Sequence, residues 1–281
     1  RDHLDYHQTM EKYAAAKAKM FKTWPLKLAV INADDDLGRK LIGCVRASEV
    51  LSYGASGDIS WRATPVRRGM HVLFDTPWGR LECTLPIAVE FAVANVAAAI
   101  GVLLGSGHAI TDLDGALSRM RTVPGRMEVV PGAYGTPKVV VDYAHTPDAL
   151  EKVLTGLATQ CRGRLFCVVG CGGNRDRGKR PEMARAVSNH SDHLWFTSDN
   201  PRDEAPADIL QDMLDGLTAQ QRQRTSVVED RGAAIAQAVR SASADDLVVI
   251  AGKGHEDTQE IAGVKYPFSD VAYVETMFKA N

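Results

Sequence analysis

The sequence predicts an α/β protein in two parts, the second built on a mainly parallel sheet. Three observations predict it. Between residues 138 and 251 short apolar, strand-like runs alternate with helix-forming stretches, the order expected when crossover helices join parallel strands. The chain has 281 residues, 45% hydrophobic and 24% charged, which is room and composition for two domains. Val123-Pro124-Gly125-Arg126 supplies a break between them.

Each element follows from local pattern. Residues 5–21 are dense in strong helix formers, and Pro25 ends that helix. Leu26 to Asn32 reads as a strand running into Asp34-Asp35-Asp36. Gly57 to Pro86 alternates, with turn signals at Asp75-Thr76-Pro77-Trp78-Gly79, as antiparallel pairs do. Helical spacing returns over 88–105 and 111–120. Beyond the break, strands are expected at 138–141, 165–169, 193–197, near Val227 and at 247–251. Helices are expected at 147–160, 181–189, 205–219 and 232–241.

Composition narrows the function. A formal net charge of −2 excludes a bulk nucleic-acid binder, whose affinity would need a basic excess. No apolar run approaches the ~20 residues that span a bilayer, and Arg1-Asp2-His3 lacks the form of a signal peptide, so a cytosolic protein without membrane insertion is expected. Five cysteines without paired ligand spacing fit reduced thiols rather than a disulfide framework.

Two loops concentrate the chemistry. Residues 170–180, Gly-Cys-Gly-Gly-Asn-Arg-Asp-Arg-Gly-Lys-Arg, and Asp199-Asn200-Pro201-Arg202 each follow a strand-like run. In an open α/β sheet both emerge at the carboxyl edge, where ligands bind. Arginines there suit a carboxylate-bearing small molecule, because a guanidinium fork matches a carboxylate through two bonds whereas lysine offers a mobile point charge. The stretch from Gly173 to Arg180 nearly spells a phosphate-binding P-loop, but Arg180 stands where a hydroxyl should position Mg²⁺. Gly170-Cys171-Gly172 likewise begins a dinucleotide fingerprint that Arg175 breaks. Neither nucleotide motif is accepted.

Seven motifs occur in order: Asp2-His3-Leu4-Asp5-Tyr6-His7, Asn32-Ala33-Asp34-Asp35, Gly125-Arg126-Met127-Glu128, Asp142-Tyr143-Ala144-His145-Thr146-Pro147, the glycine-arginine loop, Asp199-Asn200-Pro201-Arg202, and Gly252-Lys253-Gly254-His255-Glu256-Asp257. Together they resemble the Mur ligase family, and their spacing is that of its diaminopimelate-adding branch. The resemblance covers essentially the whole chain. It implies the later part of a Mur ligase central, ATP-binding domain over residues 1–122, followed by a Rossmann-like, amino-acid-binding C-terminal domain over 123–281. The family's uridine-nucleotide domain and P-loop would precede Arg1, so the chain taken alone is expected to be inactive and to bind amino acid weakly at best.

The resemblance further implies ATP as cosubstrate, Mg²⁺, a UDP-linked muramoyl dipeptide and meso-diaminopimelate, and a monomer. His3 would bind Mg²⁺, and Lys17 would be carbamylated, which turns a repelling ammonium into an anionic oxygen ligand suited to a hard cation. The residues alone equally describe Lys17 as a solvated lysine beside Lys12 and Lys19. Asn95, Arg126, Asp142 and His145 would contact the nucleotide; their plainer readings are a polar helix residue, a surface cation and, for Asp142, a turn or helix cap. Arg175 and Arg202 would clamp the amino acid's carboxylate, Asn200 would hydrogen-bond its distal group, and Asp199 and Glu256 would answer ammonium charge. Pro201 would preset the loop and Gly252 would let backbone approach the ligand. Lysine lacks the distal carboxylate and would leave an arginine unpaired. Within the superfamily a folylpolyglutamate synthase-like or lysine-adding ligase is disfavoured by Asp199-Asn200-Pro201-Arg202, and a noncatalytic amino-acid or nucleotide binding module stays open.

Overall fold

The computed structural model describes residues 4–66, 69–87, 89–133 and 135–279. They form two compact units that divide between Arg121 and Thr122. Among the described residues no helix is long and apolar enough to cross a membrane.

The first unit opens with α1 (Leu4–His7) and α2 (Met10–Thr23), the latter capped by Thr9, whose side chain accepts from the Lys12 amide. Strand β1 (Leu26–Asn32) leads into α3 (Asp36–Ile42), capped by Asp35 through Gly38 N at 2.9 Å. Strand β2 (Ala47–Tyr53) pairs with β1 in parallel. Ala18, Ala29, Ile31 and Leu41 form the small core that holds α2 and α3 against this pair. An antiparallel meander follows, β3 (Ser60–Val66), β4 (Gly69–Thr76) and β5 (Gly79–Leu85). Its apolar face, including Met70, Val72, Phe74 and Leu85, packs with Val93, Ile100 and Leu104 of α4 (Phe91–Gly105) and Leu113 of α5 (Ile110–Ser118).

The second unit is an open, mostly parallel sheet. Its elements run β6 (Glu128–Val130), β7 (Lys138–Asp142), α6 (Pro147–Ala158), β8 (Leu165–Val169), α7 (Lys179–His190), β9 (His193–Phe196), α8 (Pro206–Leu214), α9 (Ala219–Arg222), β10 (Thr225–Val227), α10 (Arg231–Ser241) and β11 (Leu247–Ala251), then the hairpin β12 (Thr258–Ile261) and β13 (Val264–Pro267), and α11 (Asp270–Lys279). The six-stranded order is β10-β9-β8-β11-β7-β6, with only β6 antiparallel. Every residue of β8 and β11 is buried, as expected for strands covered on both faces. Helices α10 and α11 seal one face through Ile235, Val239 and Val274 against Val141, Val168, Trp195 and Ile250.

Most expected elements occur, with shifts of physical origin. The helix expected at 205–219 breaks into α8 and α9 because Gly216 approaches α7; a Cβ there would stand 2.4 Å from Pro181 O. α7 begins two residues before Pro181, whose missing amide is harmless in a first turn. The cysteines divide by depth: Cys44, just beyond α3, is exposed, Cys161 is half-buried, and Cys83, Cys167 and Cys171 are buried. Burial pushes the thiols of Cys167 and Cys171 up to about 12.

Candidate functional site

Because β7, β8, β9 and β11 are parallel neighbours, the loops that follow them leave the sheet at one edge. These are Tyr143–His145, the glycine-arginine loop, Asp199–Arg202 and Gly252–Glu256. The edge is the one at which doubly wound sheets bind ligands.

The glycine-arginine loop and the Asp199–Arg202 loop are fastened together. Gly173 N donates to Asn200 O at 2.9 Å, and Arg202 Nη1 donates to Gly173 O at 2.7 Å. Gly173 is required by this approach, since a Cβ on it would lie 1.8 Å from Pro201 O. A Cβ placed on Gly172 would meet Arg202 Nη1 at 3.0 Å and Arg175 Cγ at 3.8 Å, so both arginines flank one point of the loop. Arg175 is exposed and Arg202 is half-buried with φ 53°, its Nε 3.7 Å from a Glu260 carboxylate oxygen.

Arg180 explains why the loop only looks like a P-loop. Its side chain is 1% exposed and donates to Glu204 and Asp212, each at 2.8 Å. Arg177 forks onto Asp212 at 3.0 and 3.1 Å, and Asn174 Nδ2 donates to Asp203 at 3.0 Å. The Arg180 bond holds the Glu204 carboxyl below its ordinary range. Where a P-loop would keep a hydroxyl for a metal, this chain buries a guanidinium that anchors one loop to the segment following the other.

The Gly252–Glu256 loop completes the cluster. Asp199 is buried, and its Oδ2 lies 2.6 Å from where a Gly252 Cβ would stand, so no side chain fits at Gly252. Asn200 is also buried; its Nδ2 donates to Glu256 Oε2 at 2.8 Å, while its Oδ1 accepts from Glu260 N at 2.9 Å. Lys253, fully buried, donates to Asn200 Oδ1 at 3.2 Å and to Glu256 Oε2 at 3.0 Å. Burial raises the Glu256 carboxyl, but bonds from Asn200 and Lys253 and the charges of Lys253 and Arg202 outweigh it, leaving it below its usual value. Beneath the loop, fully buried Arg231 forks onto Asp270, both bonds 2.8 Å, and donates to Ala251 O at 3.1 Å.

A second cluster surrounds Tyr143. The Arg126 guanidinium lies 4.3 Å from the Tyr143 ring centre, with the His145 ring at 4.7 Å and the His255 ring at 5.6 Å. His145 Nδ1 stands 2.8 Å from Tyr143 O; a carbonyl can only accept, so Nδ1 carries the proton. Asp142 is buried, and its two oxygens accept from Met127 N and Ala144 N, both at 2.8 Å. Burial raises its carboxyl against those bonds and the charges of Arg126 and His145. Asp142 thus shapes the turn beside exposed Arg126 and the half-buried rings of Tyr143 and His145, flat groups able to stack.

The first unit holds the remaining candidates. Lys17 is exposed on α2, its Nζ 5.6 Å from the Tyr13 ring centre, and Asn95 is exposed on α4. His3 lies outside the described residues. Among the described residues no group of three His, Cys, Asp or Glu is placed to hold a metal ion. Sequence reasoning passed over Glu204 and Arg231, and it met Lys253 and Arg180 inside recognised motifs without giving either a structural role. Burial is the feature that sets those two apart.

Comparison with known proteins agrees with this architecture. The Mur ligase middle domain matches residues 1–103, and the Mur ligase glutamate ligase domain matches residues 125–254. The chain belongs to the Mur ligase family and carries its middle and C-terminal domains. It is similar to the UDP-N-acetylmuramoyl-L-alanyl-D-glutamate–2,6-diaminopimelate ligase of Pseudomonas syringae pv. tomato, 46% identical over 285 residues, covering 100% of this chain and 58% of the relative. The enzyme of that name from Coxiella burnetii is 45% identical, covering 96% of this chain and 57% of its own. The solved structure of a ligase of the same name covers all of the chain and 58% of its own, with TM-score 0.61 and 38% identity. Mycobacterium tuberculosis folylpolyglutamate synthase, complexed with ADP and AMPPCP, shares the fold at TM-score 0.74 but only 18% identity, covering 99% of this chain and 61% of that structure. The chain therefore spans a little under three-fifths of the length of the diaminopimelate ligases it matches.

Proposed function

We propose that the chain forms part of an ATP-dependent ligase that joins meso-diaminopimelate to UDP-N-acetylmuramoyl-L-alanyl-D-glutamate in peptidoglycan synthesis, acting in the cytoplasm as a monomer. The observation that carries the reading is the shared edge of Arg175, Arg202, Asn200, Asp199 and Glu256. It sets guanidinium groups and carboxylates within one loop cluster, the complement of a molecule bearing an ammonium and a carboxylate at each end. Pro201 and Gly252 keep the cluster's backbone in place for that ligand.

In this reading the γ-phosphoryl group of ATP passes to the glutamate carboxylate, and the diaminopimelate amine displaces phosphate from the resulting acyl phosphate. His3 and a carbamate on Lys17 would hold Mg²⁺, which would supply charge stabilisation for the transferred phosphoryl group. Arg126, with the Tyr143 and His145 rings, holds the nucleotide, while Asp142 fixes their turn and offers its remaining lone pairs to ribose. Asn95 is assigned a nucleotide contact on family resemblance. The chain's own contribution to rate is positioning: the amino acid is clamped so that its attacking amine is held toward the acyl carbon. Carbamylation joins Lys17 Nζ to the carbon of CO₂, the ammonium giving up one proton to become a nucleophilic amine and a second as the C–N bond forms; ¹³C-bicarbonate labelling should yield a carbamate resonance that Lys17→Met abolishes, and identical spectra would remove the modification.

NMR titration of the chain with meso-diaminopimelate and with L-lysine tests the substrate. A preference of at least about tenfold for the diacid is expected, because lysine leaves an arginine unmatched. Equal affinity for L-lysine would sink the assigned specificity.

A further inference from the structure

We propose that Lys253 is a positioning residue of the amino-acid site: it locks the Asn200 amide and the Glu256 carboxylate into one preformed unit that aims Glu256 Oε1 at the ligand's ammonium. The inference rests on the amino-acid-binding reading above. It starts from a cost. A lysine with no exposed surface has lost its hydration, and such a group persists only where fixed acceptors replace the water. Two are present, Asn200 Oδ1 at 3.2 Å and Glu256 Oε2 at 3.0 Å.

Their chemistry fixes direction. An ammonium only donates, so the Asn200 oxygen must face it, and the Glu260 amide at 2.9 Å demands the same. The Asn200 NH₂ is thereby turned to Glu256 Oε2, 2.8 Å away. That oxygen then accepts from both Asn200 and Lys253, while Oε1 takes no hydrogen bond among the described residues. Glu256 is one-third exposed, so its uncommitted oxygen has access to a ligand. Cations acting on Glu256 include Lys253, Arg202 and Arg231, with the Asp199 and Glu260 carboxylates in the same loop cluster, and of these cations Lys253 is hydrogen-bonded to it. Without Lys253 the carboxylate loses a fixed donor, the amide loses one reason to keep its orientation, and the ammonium subsite becomes adjustable instead of preset.

The test is a double-mutant cycle on this chain with Lys253→Met and Glu256→Gln, reading meso-diaminopimelate affinity by NMR titration over a pH range and folding by thermal melt. Methionine fills the lysine's volume without charge, so the variant is expected to stay folded. Affinity should fall roughly tenfold in Lys253→Met, and by less than about twofold further when Glu256→Gln is already present. Loss of the neighbouring cation raises the Glu256 carboxyl, so binding should fail at a higher pH on the acid side in Lys253→Met than in the unmodified chain. A folded Lys253→Met that binds as before, or losses that simply add in the double variant, overturn the role of Lys253 while leaving the substrate reading intact. An unmodified chain that binds L-lysine as well as meso-diaminopimelate sinks that reading, and this one with it. If Lys253→Met does not fold, Lys253→Gln takes its place with a donor retained: its affinity should fall severalfold and by less when Glu256→Gln is already present, and unchanged affinity or additive losses overturn the proposal.

Discussion

Arg202 has two tasks that a lysine cannot share. Nη1 is spent on Gly173 O, Nε lies 3.7 Å from Glu260 as a loose resident partner, and in the proposed site the rest of the guanidinium would meet a ligand carboxylate. Arg202→Lys offers one compact ammonium for both. Meso-diaminopimelate should then bind roughly tenfold more weakly and lose its advantage over L-lysine, as read by parallel titrations. Unchanged affinities would take Arg202 out of the site. At this scale the sequence announced Arg175, Asp199, Asn200 and Arg202, since a charged loop after an apolar strand is visible without coordinates. It did not announce the burial of Lys253 or Arg180. A lysine or arginine is solvated unless something buries it, and part of what receives these two is remote in sequence: Asn200 lies 53 residues from Lys253, whose other acceptor Glu256 is three residues on, and Asp212 lies 32 from Arg180.

The glycine-arginine loop and the hairpin β12–β13 both meet the Asp199–Arg202 loop by backbone contact. On one side Gly173 touches Pro201; on the other Arg202 N donates to Glu260 O at 3.1 Å and Ala262 N to Arg202 O at 2.7 Å. Gly173→Ala forces a Cβ to within 1.8 Å of a carbonyl oxygen, and the loops must part. The expected cost is about 2–3 kcal/mol of stability by urea denaturation together with lost amino-acid binding. Retained binding would show that the two loops need not touch. β7, β8, β9 and β11 were legible because each carries an apolar run, and α6, α7, α8 and α10 because each has a helical period; β6, only three residues long, and β2 of the first unit went unread. The hairpin was not, since β13 is exposed throughout and its Ala262-Gly263 turn lacks the Asn-Gly or Asp-Gly signal. α3 escaped because it has only seven residues, and α11 carries a readable spacing at Val271, Val274, Met277 and Phe278 that the reading stopped short of.

Across the whole second unit, the loops of the proposed ligand site and a strongly bonded carboxylate lie at opposite edges of one sheet. At the amino edge Asp246, 3% exposed, accepts from Ser243 N, Ser243 Oγ, Arg164 N and Arg164 Nη2 at 2.6–2.9 Å. Burial alone would raise its carboxyl, but these bonds together hold it far below the ordinary aspartate value of 3.8. A carboxyl depressed by folding contributes stability that is complete above its unfolded pKa and is lost as pH falls through the folded one. Stability should thus decline from about pH 4 downward, a slope that Asp246→Asn flattens. At neutral pH that variant should cost about 2–4 kcal/mol by urea denaturation. The five-residue strands β8 and β11 separate it from the ligand loops by roughly 16 Å, so meso-diaminopimelate affinity should stay within about twofold. A larger change in affinity would mean that the sheet transmits strain between its edges.

The distribution of thiols gives the chain a ready experimental handle. Cys44 is exposed beside α3, while burial holds the thiols of Cys83, Cys161, Cys167 and Cys171 in their protonated, sluggish form. A maleimide dye should accordingly enter at Cys44 first, without any cysteine being engineered in or out, and stoichiometric labelling will leave the four sheet-edge loops chemically untouched. Peptide mapping of the labelled protein checks it, and a dye found on Cys171 would reveal an opening motion that exposes the floor beneath the arginines.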